Sequence, residues 1–187
     1  MAKVGNNLIT TRLSGMLGDQ IVFRTRGTKT YVATAPTRHE GPPTEQQLQH
    51  RHQFQEAIVY GKNVNANPEQ KELYEQAAKE NQTAFNVAVA DFMKAPHIDE
   101  IDLSQYTGQQ GDQIRVRAVD DFMVAGVTVG IYAPDGSLIE EGAAVKQANG
   151  LDWLYAAAQQ NSNLHGSKIV IRANDLPGNT AVDERDL

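Results

Sequence analysis

At Pro96 the hydrophobic pattern of this chain changes its period. Before it, Ala84, Phe85, Ala88, Val89, Phe92 and Met93 recur at the spacing of a buried helical stripe. After it, Ile114, Val116 and Ala118 alternate with Arg115, Arg117 and Val119, and Val127, Val129 and Ile131 alternate with Thr128, Gly130 and Tyr132. Side chains return to one face every 3.6 residues on a helix and every second residue on a strand, so the two stretches belong to different elements. The chain therefore reads as α+β: a β-hairpin and helical domain over residues 1–96, then a β-rich domain over 97–187.

Three helices are expected before the switch. Thr44 with Gln47 forms a capping box, and Leu48, Phe54, Ile58 and Val59 share one broad face, with Gly61 expected to close the helix. Asn67-Pro68-Glu69-Gln70 is a second start signal, an Asn cap followed by proline at the first helical position. That helix presents Leu73, Tyr74, Ala77 and Ala78, and Pro96 is expected to stop the third.

Upstream of the helices, Ile21–Thr25 and Lys29–Ala33 flank Arg26-Gly27 as a hairpin. Such a hairpin is marginal in water unless it packs on something. Downstream, strands are expected around 114–119, 127–132, 138–140, 151–157 and 168–173, among about six or seven short strands in 90 residues. That spacing suggests an immunoglobulin-like sandwich, with a small open barrel as the alternative. Two of these strands echo each other. Ile114-Arg115-Val116-Arg117-Ala118-Val119-Asp120 resembles Ile169-Val170-Ile171-Arg172-Ala173-Asn174-Asp175, as if both left the same end of a sandwich.

The net charge of −6 is unevenly spread. Residues 1–38 hold six cationic side chains against Asp19, a balance of +5, whereas residues 99–187 carry fourteen acids against six bases, a balance of −8. A basic arm beside an acidic body fits assembly, and overall acidity argues against a dedicated nucleic-acid binder. Arg12, Arg24, Arg26, Lys29 and Tyr31 are the expected interaction residues. No apolar run is long enough to cross a bilayer, and residues 1–7 lack the apolar stretch of a secretory signal. A cytoplasmic protein, or one exported without that signal, is expected. The absence of cysteine removes disulfides, thiol nucleophiles and cysteine zinc sites.

Candidate chemistry is sparse. His50 and His52, two apart on a helix, point in different directions and cannot share an ion. Asp120, Asp121, Asn174, Asp175 and Asn179 could gather at one end of the β-rich half, where calcium would want six to eight oxygens. The same residues also favour turns for backbone reasons. Nucleophile-elbow, zincin, phosphate-loop and dinucleotide motifs are missing. Glu140-Glu141 reads as a solvated pair beside a turn, and Trp153 with Tyr155 as core. No cofactor is expected.

Leu13-Ser14-Gly15-Met16-Leu17-Gly18 with Val22-Phe23-Arg24, then Pro43, Thr44, Gln47, Arg51 and Phe54, resembles a family of small Bacteroidota-type proteins. In these a glycine-rich hairpin precedes a Pro-Thr-x-x-Gln helix start. Ala90-Asp91-Phe92 before Pro96 is similar too, and Asp175-Leu176-Pro177-Gly178-Asn179 more loosely. The resemblance spans roughly residues 10–96, implies no particular reaction, and carries over no site residue. Three functions follow as expectations. The first is a non-enzymatic protein-binding or self-assembly module. The second is cargo of a phage-tail-like contractile injection system. The third is a carbohydrate-active hydrolase built on acidic sandwich loops.

Overall fold

The structure is a computed structural model that describes residues 2–4, 13–27, 29–36 and 41–187. It is α+β, with three helices and three antiparallel four-stranded sheets among the described residues. The first sheet is built from β1 (Ala2–Val4), β2 (Gly15–Leu17), β3 (Ile21–Arg26) and β4 (Lys29–Thr34), in the order β1-β4-β3-β2. The expected hairpin is its centre, with Arg26 opposite Lys29 and Gly27 turning at a φ of +57°. Glycine adopts that left-handed backbone without the side-chain clash other residues meet.

Helices α1 (Glu45–Ala66), α2 (Pro68–Ala77) and α3 (Ala84–Phe92) follow. The capping box forms as expected, with the Gln47 N–H donating to Thr44 Oγ1 and the Thr44 N–H to Gln47 Oε1. Asn67 Oδ1 accepts from the N–H groups of Glu69 and Gln70.

Two expectations about α1 fail. Gly61 does not end the helix, which continues to Ala66. Nor do Leu48, Phe54 and Val59 face inward; all three are exposed, and the buried face is Ala57, Gly61 and Val64. The reason is the closeness of α3. A Cβ on Gly61 would lie 2.9 Å from the Phe85 ring and from Val89, and α3 presents Ala84 and Ala88 to the same small core. Small residues let the two backbones approach, and larger apolar side chains are left outside. Likewise α3 ends at Phe92 with Met93 as its cap, before Pro96 is reached.

The β-rich half has eight strands. β5 (His97–Asp102), β6 (Gln113–Val119), β10 (Asp152–Ala156) and β9 (Val145–Lys146) form one sheet in that order; β12 (Thr180–Asp186), β11 (Lys168–Asp175), β7 (Val124–Tyr132) and β8 (Leu138–Ala143) form the other. Both contribute to one core, in which Ile114, Val116, Trp153 and Tyr155 meet Val127, Val129, Ile131, Ile169 and Ile171. Trp153 lies opposite Val116 and Tyr155 opposite Ile114, so these pairs share the buried face as the alternation requires.

The polar face of the first of these sheets is cross-linked by charge. Arg115 reaches Glu100 at 2.7 Å and Asp102 at 3.2 Å, and Arg117 reaches Asp152 at 2.8 Å. β12 was not expected from its polar sequence. It is ordered because seven of its residues pair with β11, from Asn174 opposite Thr180 to Lys168 opposite Asp186.

Glu140 departs from the solvated pair expected of Glu140-Glu141. It is buried, and its Oε2 accepts the N–H groups of Ala158 and Gln159, tying β8 to the loop after β10. Burial and this carboxylate push the Tyr155 hydroxyl up to about 12. Glu141 stays at the surface and pairs with Arg172.

Substitution Gly61→Ala should lower stability by about 1–3 kcal/mol through overpacking against Phe85 and Val89; chemical denaturation measures it, and an unchanged midpoint would refute the packing argument. A second expectation concerns acid. The Ser104 hydroxyl and N–H, with Arg115, hold Asp102 down to about 2. Arg117 and Asn149 hold Asp152 below the usual range, and the N–H groups of Gln109 and Thr107 do so for Asp112. These folded-state values lie below an unfolded value of about 4, so the stability they contribute is complete above that pH. It should be lost as pH falls from about 4 toward 2, which thermal denaturation across that window will record.

Candidate functional site

Two places bring together residues that the fold alone does not require. The first is the junction between the helices and the end of the β-rich half. There α3 supplies Asp91, the turn after β6 supplies Asp120, and the end of β11 supplies Asp175. A carboxylate oxygen from each lies within 4.8 Å of the other two. The internal echo of the sequence thus has a spatial counterpart: its two terminal aspartates leave the same end of the β-rich half and converge.

Local chemistry fixes each group. Asp120 Oδ2 accepts the Met123 N–H at 3.0 Å in a turn. Asp175 Oδ1 accepts the N–H groups of Gly178 and Asn179, while its Oδ2 accepts from Asn179 Nδ2 at 2.6 Å. Asn179 Nδ2 also reaches the carbonyls of Phe92 and Lys94, so it stitches the β11–β12 turn to the end of α3.

Asp91 is 2% exposed, and its Oδ2 accepts the Tyr74 hydroxyl at 2.6 Å. Its Oδ1 is buried with no hydrogen-bond partner. Burial, opposed by Tyr74 and reinforced by the charges of Asp120 and Asp175, pushes the Asp91 carboxyl up to about 7. Tyr74 in turn bonds Tyr60 at 2.8 Å and stacks on Phe122 with ring centroids 4.3 Å apart. Its hydroxyl is pushed well above the usual range, first by burial and then by Asp91 and Tyr60.

Asp121 and Asn174 are not brought into this cluster. Asp121 pairs with Lys94 at the surface, and Asn174 accepts from the Thr180 hydroxyl. Asp91 is the member that the sequence reading missed. A signal existed: Ala84, Ala88 and Asp91 fall on one helical face, which puts a lone carboxylate on a buried stripe. His50 and His52 are both exposed on α1.

The second place is the N-terminal sheet. The register puts Leu17, Ile21, Phe23 and Val32 on one face, and Met16, Val22, Arg24, Tyr31 and Lys29 on the other. Arg24 and Lys29 are exposed, and Tyr31 is half-buried. Lys29 and Tyr31 border a cleft of about 820 Å³ against Lys79, Glu80, Asn81 and Gln82 of the α2–α3 turn and Asn86 of α3. Arg12 lies outside the described residues, as does the Arg26 side chain. Apart from Thr30, no described side chain of this sheet is buried, and Met16 and Leu17 are 60% and 66% exposed. Among the described residues no helix is long and apolar enough to cross a membrane.

Tyr74→Phe removes the one donor to Asp91 and the link to Tyr60. It should destabilise the protein by about 1–3 kcal/mol, the penalty for leaving a buried acceptor unpaired. Urea denaturation reads the change, and a variant as stable as the parent would show that the hydroxyl contributes nothing.

No protein-family model matches this chain, and no curated protein matches it. Among solved structures it is similar to a crystal structure of an engineered protein, at 15% identity and a TM-score of 0.34. That match covers 55% of this chain and 26% of the other, so the chain spans about a quarter of the length of the protein it matches. A likeness this weak carries no argument about fold or function.

Proposed function

We propose that this chain is a non-enzymatic assembly module whose N-terminal sheet docks on the acidic β-rich half of a second copy. The carrying observation is the four-stranded sheet in which Thr30 alone, among the described side chains, is buried. A sheet needs at least one covered face to be stable, because its strands otherwise trade hydration for little packing. Leu17, Ile21, Phe23 and Val32 share a face suited to such a cover. Opposite charge supplies direction. The +5 of residues 1–38 in one copy meets the −8 of residues 99–187 in the next. Contact between unlike surfaces is head-to-tail, so it grows into a ring or a filament. Leu48, Phe54 and Val59 of α1 are further exposed apolar side chains.

The strand order of the β-rich half supports reading it as immunoglobulin-like, a frame whose edges and loops serve recognition. Lettered along the chain as A, B, C, C′, D, E, F and G, its strands fall into sheets A-B-E-D and G-F-C-C′. It departs from antibody domains in having no cysteine pair and in carrying its Trp153 on E. A boundary near Pro96 is supported by the two separate apolar clusters, one in the helices and one between the sheets.

Sedimentation velocity over about two decades of concentration tests the assembly. The parent should form species larger than a dimer, weakened by added salt. Leu17→Asp combined with Ile21→Asp should leave a monomer with the same thermal transition. A parent that stays monomeric at every concentration and at low salt would sink the proposal. So would association that survives the double substitution.

A further inference from the structure

We propose that Asp91, Asp120 and Asp175 form a site for a divalent cation of the calcium class, which ties α3 to the ends of β6 and β11. The argument starts from charge. Three carboxylates from three separate elements converge, and two of them are nearly out of solvent, Asp91 at 2% and Asp175 at 4% exposure. Like charges brought together in a poorly solvated place repel strongly unless something neutralises them. Lys94, on the adjoining loop, is committed to Asp121 at the surface.

The second observation is independent of the clustering. Tyr74 occupies Asp91 Oδ2, which leaves Oδ1 fully buried without a donor. A buried carboxylate oxygen with nothing to accept is rare, because its lost hydration is not replaced. Beside Asp91 stand the carboxylates of Asp120 and Asp175, which as anions offer it no donor. A cation between the three can satisfy it.

The donor set selects the ion. All three ligands are hard oxygens, with no histidine or cysteine in the group, which suits calcium or magnesium and not zinc or copper. Oxygens within 4.8 Å of one another match the span across an ion with bonds of about 2.3–2.6 Å. Magnesium, at about 2.0–2.1 Å, demands near-ideal octahedral geometry and gives up its water reluctantly, so it suits a three-carboxylate site less well. Each carboxylate provides at least one oxygen, and water completes the shell. The ligands are also pre-aimed. The Met123 N–H holds Asp120, the N–H groups of Gly178 and Asn179 hold Asp175, and Tyr74 holds Asp91. Such outer contacts orient metal ligands and raise affinity.

The test uses the full chain, with calcium chloride against a chelator and magnesium chloride as the comparison. Calcium should raise the melting temperature, with half-saturation between about 10 µM and 1 mM, and magnesium should act more weakly. Terbium(III), which replaces calcium on oxygen ligands, should luminesce on excitation of Tyr60 and Tyr74 and be displaced by calcium. Asp91→Asn should bind at least about tenfold more weakly. With chelator present it should melt no lower than the parent, because it relieves repulsion. Asp120→Asn keeps the test open if that variant fails to fold, and Asp121→Asn, outside the cluster, should bind like the parent. A parent that calcium does not stabilise at millimolar concentration overturns the proposal. So does a calcium effect unchanged in both Asp91→Asn and Asp120→Asn. Stabilisation by acid with none from calcium would mean that a proton, and no metal, neutralises the cluster.

Discussion

The short hydrogen bond from Tyr74 to Asp91 organises the meeting of helices and sheets. It places a carboxylate at the bottom of a helical stripe that is otherwise apolar, and α2 and α3 are packed so that Tyr74 can reach it. Tyr60 extends the network to α1, and Phe122 covers the Tyr74 ring from the β6–β7 turn. A buried polar chain of this kind is demanding, since each member must be satisfied in a medium where an unpaired group is penalised. Its geometry therefore leaves little freedom in how the three helices sit on the β-rich half.

The two apolar clusters differ in what holds them. Between the sheets the core is large, built from β-branched residues and aromatics that alternate with outward arginines. Arg115 and Arg117 pair with Glu100, Asp102 and Asp152, so the polar side of the sheet is fastened as well. The helical cluster is small, and Gly61, Ala84 and Ala88 set its spacing. Among its described side chains the N-terminal sheet buries only Thr30, so it has no comparable core among the described residues.

Much of the architecture was legible beforehand. The Pro96 switch in period, the capping box at Thr44, the Asn67-Pro68 start and the strands around 114–119, 127–132 and 168–173 all rest on local preferences that the fold obeys. Where the reading failed, a long-range contact had decided. Gly61 looks like a terminator in sequence, yet the approach of α3 makes it a packing position. Leu48, Phe54 and Val59 look like core, yet α3 covers the face about a third of a turn away. β12 looks like a polar tail, yet β11 gives it a partner for its backbone. Glu140 looks solvated, yet two loop N–H groups claim it.

By itself the sequence determined the division into helical and β-rich parts, the capped starts of the first two helices and the opposite charges of the two ends of the chain. These follow from side-chain periodicity, capping and composition, all of which act over a few residues. It also contained the paired Asp120 and Asp175 as an echo, though without the meaning of that echo. Tertiary structure decided that they meet each other and Asp91, because nothing local relates residues 91, 120 and 175. Convergence depends on how two sheets stack and on where α3 ends against them, which is a property of packing and not of any segment.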